Sequence, residues 1–375
     1  MINLKTVELF YTMNKYYFSV ICLLLLNATS MVVSAQAINY KNCVEVLHNN
    51  IEQHFKATKT GLYYETTESV QKDNPHSWLW PLCALVQAAN EAETLLPGTT
   101  YMEPVVKAID QYYSQKIPPA YQDYVTSERI SSRFYDDNQW IAIAYMDAYN
   151  RKSNPKYLKA SKEIYDFMIT GLDTIAGGGF YWKEGELNSK NTCSNGPGIL
   201  VALQLYKITN DKQYLKTALA VYKWTNKNLQ APNGLFYDAI KIPSLKIDKT
   251  LYTYNAGSML QANALLYTIT QDKMYLSEAQ RIAKAAKAHF FKNNRLPPNY
   301  WFNAVMLRGY QELYNLDKNK EWIDFFIQDA NSIWLERDAN NFLKGGQHKL
   351  IDQAGMMEIY ARLAQIEKSV TFHQR

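Results

Sequence analysis

Apolar residues recur along this chain with the 3.6-residue period of an α-helix, and the helices that they predict are of two kinds. Amphipathic helices carry one apolar stripe opposite a charged face, as in the stripe of Leu215, Ala218, Leu219 and Tyr222. The other helices are apolar nearly all round, as in the run at 140–149. Because a helix that is apolar on every side is buried on every side, the pattern predicts inner helices enclosed by outer ones.

The two kinds of helix alternate along the chain in six pairs. The outer helices are predicted at 40–56, 102–115, 155–171, 211–229, 272–292 and 319–336. The inner helices are predicted at 78–95, 137–150, 195–208, 255–269, 299–314 and 350–367. Six pairs predict an all-α fold, the (α/α)6 toroid, in which six outer helices surround six inner ones. An open superhelical solenoid would contain the same pairs and is the alternative.

A weak internal repeat supports the pairing of the helices. The segments 149–158, 206–215 and 267–276 align without gaps, and each begins with Tyr and ends with Tyr-Leu. They recur about every 60 residues, which fits one helical hairpin and a loop. Each segment coincides with a predicted turn from an inner to an outer helix.

The predicted connections differ in length between the two ends of the fold. Turns from an inner to an outer helix are short, whereas most connections from an outer to an inner helix are long. In a toroid, all the long loops lie at one end, around the N-termini of the inner helices. Long loops on a rigid scaffold often carry binding and catalytic residues, so we expect the functional site at that end.

The first 35 residues are predicted to be a signal peptide and not part of the fold. Lysines precede an apolar stretch at 17–26, and Val33-Ser34-Ala35 supplies the small residues of a cleavage site. A transmembrane anchor is the alternative, although polar residues closely follow the apolar stretch. We expect an exported protein, periplasmic or extracellular, in which 36–375 form a single catalytic domain without a membrane span.

Charge and cysteine content exclude some classes of function. The formal net charge is +5 without a run of Lys or Arg, so we expect a neutral substrate and no nucleic-acid ligand. Three cysteines follow the predicted signal peptide: Cys43, Cys83 and Cys193. Their wide spacing fits neither a disulfide framework nor a metal-binding motif. We expect buried free thiols, with one disulfide bond as the alternative.

Two adjacent carboxylates, Asp136 and Asp137, stand at the start of a predicted inner helix. Cleavage of a glycosidic bond typically requires two carboxyl groups that are held close together. Aspartate is also favoured at helix N-termini, so helix capping alone would explain the pair. One cap needs only one carboxylate, however, and the pair lies at the end with the long loops. Since Asp136 precedes the predicted helix, both side chains can face one cavity.

The position of each aspartate suggests its role in such a reaction. Neighbouring carboxylates cannot both ionise freely, so we expect one raised pKa and one held down by the helix dipole and hydrogen bonds. Asp136 is the candidate nucleophile, and Asp137 is the candidate proton donor to the leaving oxygen. Adjacency favours the short separation of ~5 Å that accompanies a covalent intermediate and net retention.

Six short motifs along the chain form a recognisable set. They are Tyr135 to Trp140, Ala144 to Tyr149, Gly178 to Trp182, Lys190 to Gly196, Leu203 to Tyr206 and Tyr254 to Gly257. Together they resemble glycoside hydrolase family 76, the α-1,6-mannanases. The resemblance implies an (α/α)6 toroid, neither metal nor cofactor, and a retaining double displacement on the α-1,6-linked backbone of yeast-type α-mannan. By position, Asp136 takes the nucleophile role and Asp137 the acid/base role.

Further candidates for sugar contacts lie near the predicted starts of the inner helices. Aromatic residues make up 14% of the chain, and the faces of Tyr and Trp suit pyranose rings. The candidates are Asn138, Tyr181, Trp182, Asn191, Asn195, Tyr254, Asn255 and Trp301. A structural role is the alternative in each case, such as loop packing after the glycine run at 177–179, helix capping or core packing.

The sequence therefore predicts a retaining glycoside hydrolase, an endo-acting α-1,6-mannanase that works as a monomer on mannan polysaccharide or oligosaccharide. Two alternatives stay open. A transglycosidase on the same fold would transfer mannan instead of degrading it. A non-catalytic, exported glycan-binding protein would keep the aromatic rim, but it would have no use for two carboxylates.

Overall fold

The computed structural model, which describes residues 38–67, 75–343 and 348–373, contains twelve α-helices that alternate between outer and inner positions. The outer helices are α1 (Tyr40–His54), α3 (Met102–Ile109), α5 (Pro155–Met168), α7 (Lys212–Leu229), α9 (Lys273–Phe290) and α11 (Asp324–Leu335). The inner helices are α2 (Leu79–Leu95), α4 (Tyr135–Lys152), α6 (Thr192–Thr209), α8 (Thr253–Thr270), α10 (Tyr300–Asp317) and α12 (Leu350–His373). The predicted twelve helices are confirmed, and the predicted signal peptide lies outside the described residues.

The inner helices form a closed ring. Each packs against the next in chain order, and α12 packs back against α2. The contacts from α8 through α10 to α12 are close because glycines face the neighbouring helix. A Cβ at Gly257 would lie 2.4 Å from Met306 Cα, and one at Gly355 would lie 2.5 Å from the Trp301 backbone nitrogen. The (α/α)6 toroid is therefore confirmed, and the open solenoid is wrong.

The repeated sequence segments correspond to one kind of tight turn. The turns at 153–154, 210–211 and 271–272 each join an inner to an outer helix. In each, the first residue is left-handed, with φ between 51° and 61°. The second residue is Asn or Asp, and its side chain accepts a hydrogen bond from the backbone N–H two residues on, capping the outer helix.

Short strands in the long connections were not predicted. A three-stranded antiparallel sheet has the order β3 (Ser189–Asn191), β4 (Tyr237–Lys241), β5 (Ile247–Leu251). A smaller ladder pairs β1 (Tyr113–Ser114) with β2 (Ala120–Tyr121). Strands this short lack the long periodic pattern from which the helices were predicted. The larger sheet joins the loop that precedes α6 to the loop that precedes α8.

The difference in loop length is confirmed. The connections from outer to inner helices are 55–78, 110–134, 169–191, 230–252, 291–299 and 336–349, whereas the turns at the other end are short. All twelve helices belong to one compact unit, Asn39–Arg375. No helix in the described part of the chain is both long and apolar enough to cross a membrane. The three cysteines after the predicted signal peptide are buried free thiols, as predicted.

Candidate active site

A cleft of about 810 Å³ opens among the long loops, at the first turns of five inner helices, α2, α4, α6, α8 and α10. Aromatic rings and polar groups share its surface. The lining residues are Trp78, Trp80, Asp123, Phe134, Asp136, Asp137, Trp140, Trp182, Glu186, Asn188, Ser189, Asn191, Cys193, Asp238, Lys241, Tyr252, Tyr254, Trp301 and Phe302.

Asp136 and Asp137 both lie in the first turn of α4 and both line the cleft. The helix begins at Tyr135, two residues earlier than predicted, so Asp136 does not precede it. Neither aspartate caps the helix, since the cap position is Phe134 and makes no side-chain capping bond. The capping interpretation of the pair is therefore wrong, and both carboxyl groups remain available to the cleft.

The Asp136 carboxylate is held from the far wall of the cleft. The indole Nε1–H of Trp182 donates a hydrogen bond to Asp136 Oδ2 at 3.1 Å. Burial raises the pKa of Asp136 to about 6, and the Cys193 thiol and the Trp182 indole limit the rise because they favour the charged form. Asp136 is therefore mostly ionised at neutral pH.

Asp137 is more deeply buried than Asp136, with 9% of its surface exposed. No donor among the described residues forms a hydrogen bond with its carboxyl group; the Cys83 thiol donates instead to the Asp137 backbone carbonyl, at 3.3 Å. Burial, followed by the charges of Asp136 and Asp123, raises the pKa of Asp137 well above its ordinary value. The expectation that one pKa of the pair would be held down is wrong, because burial raises both.

Trp182 is fixed by backbone hydrogen bonds on both sides. Its N–H donates to the Ser189 carbonyl at 3.2 Å, and its carbonyl accepts from the Tyr135 N–H at 3.0 Å. The preceding Gly179 has a φ of +80°, and a Cβ there would lie 2.5 Å from the Trp224 ring. The glycine run thus serves close packing in a defined conformation, which directs the half-exposed Trp182 ring into the cleft.

Tyr181 does not line the cleft. It is buried, and its hydroxyl donates to Asp173 Oδ2 at 2.8 Å. The ammonium group of Lys190, also buried, binds Asp173 and the carbonyls of Ile175 and Gly178. Loop packing therefore explains Tyr181, whereas Trp182 next to it reaches the catalytic candidates.

Asn138 and Asn195 are fully buried and do not line the cleft. The Asn138 side chain both accepts from the Tyr121 N–H and donates to the Tyr121 carbonyl, each at 2.8 Å. Asn195 makes the same pair of bonds with Phe180, at 2.7 and 3.1 Å. Both amides fasten a long loop to the start of an inner helix, so they do not contact a ligand in the cleft.

Of the four remaining residues that were predicted to contact a sugar, three line the cleft and one lies behind it. Asn191 donates to Asp238 at 3.4 Å, Tyr254 stacks on Phe302, and Trp301 forms part of the cleft floor. Asn255 is fully buried and does not line the cleft. Core packing is the main role of Trp301, which is 1% exposed, although its indole N–H meets no acceptor in the described part of the chain.

Three further acidic residues of the cleft were not predicted from the sequence: Asp123, Glu186 and Asp238. Asp238 lies on β4, and the short apolar run around it, which ends before a Pro-Ser turn, is a weak strand signal. Asp123 lies in an irregular loop without such a signal. Within the described ranges, no group of three or more His, Cys, Asp or Glu side chains could hold a metal ion.

Comparison with known proteins matches this fold and cleft to carbohydrate-active enzymes. A mannan endo-1,6-alpha-mannosidase of Candida glabrata is 29% identical over 190 residues, which cover 46% of this chain and 42% of that relative. Its counterpart in Saccharomyces cerevisiae is 25% identical over 280 residues, covering 68% of this chain and 61% of that protein. The chain thus spans about half the length of the curated relatives it matches.

Solved structures agree with the sequence relatives. The alpha-mannanase of glycoside hydrolase family 76 from Bacteroides thetaiotaomicron superposes with a TM-score of 0.83 at 26% identity, covering 90% of this chain and 99% of that one. The model of glycosyl hydrolase family 76 matches residues 39–301, which include both aspartates and every inner helix start from α2 to α10. Because this match covers most of the chain, the protein belongs to glycosyl hydrolase family 76.

Proposed function

We propose that this protein is an endo-acting, retaining glycoside hydrolase that cleaves α-1,6-mannosidic linkages in the backbone of yeast-type α-mannan. The observation that carries the proposal is the contrast between two adjacent aspartates in one aromatic cleft. Asp136 accepts a hydrogen bond from Trp182, whereas Asp137 is buried beside other carboxylates without a donor among the described residues. One ionised and one protonated carboxyl group at neutral pH are what a double displacement requires.

In the first step, an Asp136 carboxylate oxygen attacks C1 of a mannose unit, and the bond from C1 to the glycosidic oxygen breaks. Asp137 transfers its proton to that oxygen, so the departing sugar leaves as a neutral alcohol. The mannosyl unit is then bound to Asp136 as an ester, and Asp137 is a carboxylate.

In the second step, Asp137 takes a proton from a water molecule while the water oxygen bonds to C1. The bond between C1 and the Asp136 oxygen breaks, which restores the Asp136 carboxylate and the protonated Asp137. Two inversions at C1 give net retention of the α configuration.

We assign the sugar contacts to the side chains that reach the cleft. The rings of Trp182, Tyr254 and Trp301 offer apolar faces or edges to pyranose rings. Asn191 and Asp238 offer polar groups to the sugar hydroxyls. Asn138, Tyr181, Asn195 and Asn255 keep a supporting role, because they lie behind the cleft wall.

The substrate is proposed from two lines of support. The curated relatives are named mannan endo-1,6-alpha-mannosidases, and the family member from Bacteroides thetaiotaomicron is named an alpha-mannanase. The cleft of about 810 Å³ spans the first turns of five inner helices, which is room for more than one sugar unit. Such an extended cleft favours cleavage within a chain over removal of terminal units.

The proposed substrate fits a protein that acts outside the cytoplasm. We propose that residues 1–35 direct export and are removed before Gln36. N-terminal sequencing of the exported protein tests this, and a mature chain that still begins at Met1 would contradict it.

The activity is tested by incubating the purified protein with debranched α-1,6-mannan, sizing the products and following the anomeric protons by NMR at early times. We expect short oligosaccharides that first appear in the α configuration. Longer products in the presence of excess acceptor would indicate a transglycosidase. Binding of mannan without shortening of it would indicate a glycan-binding protein, and no effect on any α-mannan would overturn the proposal.

A further inference from the structure

A third carboxylate, Asp123, lines the cleft, and its charge acts on Asp137. It lies in the loop between α3 and α4, and its backbone is fixed at both polar atoms. The Asp123 N–H donates to the Ser132 carbonyl at 2.7 Å, and its carbonyl accepts from the Leu79 N–H at 3.1 Å. The second bond ties Asp123 to the start of α2, where Trp78 and Trp80 enter the cleft.

The Asp123 side chain has an oxygen that the described residues leave unsatisfied. Oδ1 is buried and has no hydrogen-bond partner within the described ranges. The cation of the same loop, Arg129, lies over the rings of Tyr124 and Trp78, at 3.7 and 5.3 Å from their centroids, and forms no ion pair with Asp123. A buried carboxylate oxygen without a donor is costly, unless a ligand hydroxyl supplies the missing bond.

A second unsatisfied polar group of the cleft lining is a donor. Trp301 is almost fully buried, and its indole N–H has no acceptor among the described residues. Its ring meets the Trp80 ring edge to face, with centroids 5.1 Å apart. The Asp123 carbonyl is bonded to Leu79, the neighbour of Trp80, and Trp80 contacts Trp301, so an acceptor, an aromatic ring and a donor belong to one connected part of the cleft lining. A sugar ring satisfies this combination, because it has an apolar face and hydroxyls on its edge.

We propose that Asp123 is a third carboxylate of the catalytic site, which accepts a hydrogen bond from the sugar departing on the Asp137 side and keeps the Asp137 proton in place until that sugar takes it. The inference rests on the proposed function for the departing sugar. Asp123 itself exchanges no atom or electron with the substrate; it acts through a hydrogen bond and through its charge on Asp137.

A survey of the charged groups around Asp137 identifies Asp123 as the one whose charge keeps the Asp137 proton in place. On its own helix, the neighbour of Asp137 is Asp136, which already accepts from Trp182. On α2, the Cys83 thiol donates to the Asp137 carbonyl. The charge of Arg308, on α10, also acts on the Cys83 thiol. Arg308 is, however, paired with Glu358 through two hydrogen bonds of 2.7 and 2.8 Å. Cys193 and Asp238 lie near each other, and Cys193 contacts Asp136. Glu186 and Lys241 are the other charged residues of the lining.

The first test measures the protonation of Asp137 directly, without reference to activity. The carboxyl carbons of the protein are labelled with ¹³C on aspartate, and Asp137 is assigned by the signal missing from Asp137→Asn. In Asp123→Asn, which keeps the size of the side chain and removes its charge, we expect Asp137 to titrate about one pH unit lower than in the native protein. Glu128→Gln is the matched control, since it removes a charge from the same loop at a residue that binds His76 and does not line the cleft.

The second test separates the hydrogen bond from the charge. With α-1,6-mannotetraose, Asp123→Ala should lower kcat/KM about 10- to 100-fold, the usual loss for a hydrogen bond to a charged group. With a dinitrophenyl glycoside of α-1,6-mannobiose, whose leaving group is not a sugar and needs no proton, the loss should nearly disappear. Circular dichroism and thermal unfolding identify a variant that fails to fold, and Asp123→Leu, which is of similar size and has no acceptor, then replaces Asp123→Ala.

The two proposals fail in different ways. If the native protein leaves all α-1,6-mannans intact, the proposed function is wrong. If the native protein cleaves mannan but Asp137 titrates alike in the native protein and in Asp123→Asn, the role of Asp123 is wrong. Equal losses on the tetrasaccharide and the aryl glycoside would also overturn the contact with the departing sugar.

Discussion

At the scale of single residues, two neighbouring side chains of the same type differ in their surroundings. The Cys193 thiol and the Trp182 indole stabilise the charged form of Asp136, whereas Asp137 lies beside the charges of Asp136 and Asp123, so the pKa of Asp137 is raised further than that of Asp136. A hydrogen bond to the charged form stabilises that form. Trp182 was predicted from the sequence as a plate for a sugar ring, and its position adds an electrostatic role that no sequence pattern indicates.

Replacing Trp182 with Phe should raise the pKa of Asp136 above its native value of about 6, because the ring remains and the donor is lost. Since the nucleophile must be ionised, the acid limb of the pH profile of kcat/KM should move to higher pH, by about 0.5 to 1 unit. Trp80→Phe is the control, because it changes another cleft tryptophan without a bond to Asp136. An unchanged acid limb in Trp182→Phe would show that the indole does not tune the nucleophile.

The division of labour between the two aspartates is open to a direct test with an activated substrate. Asp136→Asn and Asp137→Asn should each lower the cleavage of mannan by at least about 10³-fold with folding intact. On a dinitrophenyl glycoside of α-1,6-mannobiose, Asp137→Asn should still form the ester and release a burst of phenol, whereas Asp136→Asn should not. The reverse pattern would exchange the two roles.

The cleft residues that the sequence did not reveal lie outside the helices, where apolar residues do not recur with a regular period. Asp136 and Asp137 precede a long apolar run and were recognisable as a pair at a helix start. Asp123 and Asp238 are single acidic residues in long connections, and only the folded chain brings them to the same cleft. Their role depends on which loops meet across the ring, and neither composition nor spacing contains that information.

At the scale of secondary structure, one hydrogen-bonding arrangement recurs at the starts of inner helices. The fourth residue of α4, α6 and α10 is a buried asparagine: Asn138, Asn195 and Asn303. Each donates to the backbone carbonyl of a residue that precedes its helix. Asn138 and Asn195 also pair with a loop residue, Tyr121 or Phe180. These amides position the long loops that carry the cleft residues.

Replacing Asn195 with Ala should destabilise the protein by about 1 to 3 kcal/mol, because the Phe180 N–H and carbonyl lose their partner in a buried site. The free energy of unfolding from urea titration measures this loss. Asn42→Ala, at an exposed position of α1, is the control and should change stability by less than about 0.5 kcal/mol. Equal stability of the two variants would show that the amide is dispensable.

Helices were predictable and strands were not, for a physical reason. The inner and outer helices are long enough for several turns of apolar periodicity. Their boundaries agreed with the structure to within about three residues, except the ends of α3 and α12 and the start of α11, which differ by about five or six. The sheet of β3, β4 and β5 is formed by segments of three to five residues from two separate loops. The pairing of β3 with β4 joins two loops and is non-local, so the sequence of either loop alone does not specify it.

At the scale of the whole molecule, a buried polar network joins the inner helices beneath the cleft. Glu358 of α12 binds Arg308 of α10, and Arg362 of α12 binds Glu358 and Glu91 of α2. The side chain of Asp147, on α4, accepts from Gln87 and Gln204 at 3.0 and 2.9 Å. Polar groups of five inner helices thus meet inside the ring.

Asp147 makes stability depend on pH. Burial, followed by the charge of Glu91, raises the pKa of Asp147 to about 7, against an ordinary value of 3.8. The folded state therefore binds the proton more tightly than the unfolded state, so this group's contribution to stability is complete at low pH and is lost as pH rises from about 4 to 7. Asp147→Asn should remove this loss of stability. Gln87 or Gln204 can rotate its side-chain amide so that its oxygen accepts a hydrogen bond from the amide of the introduced asparagine.

The expected result for Asp147→Asn is a Tm a few degrees above that of the native protein at pH 8 and nearly equal to it at pH 4. Thermal unfolding at the two pH values measures the difference. A variant that is less stable than the native protein at pH 8 would show that the ionised carboxylate is needed in the network.

The closed ring also depends on contacts between distant parts of the chain. Four inner helices, α2, α4, α6 and α8, pack against the outer helix that directly follows them, so these contacts are local in sequence. The outer helix α1 packs instead mainly against α12, which also covers flanks of α10 and α2. Closure of the ring therefore joins segments from opposite ends of the described chain. Because bringing distant segments together has a high cost in loop entropy, we expect the docking of α12 to be a slow step of folding.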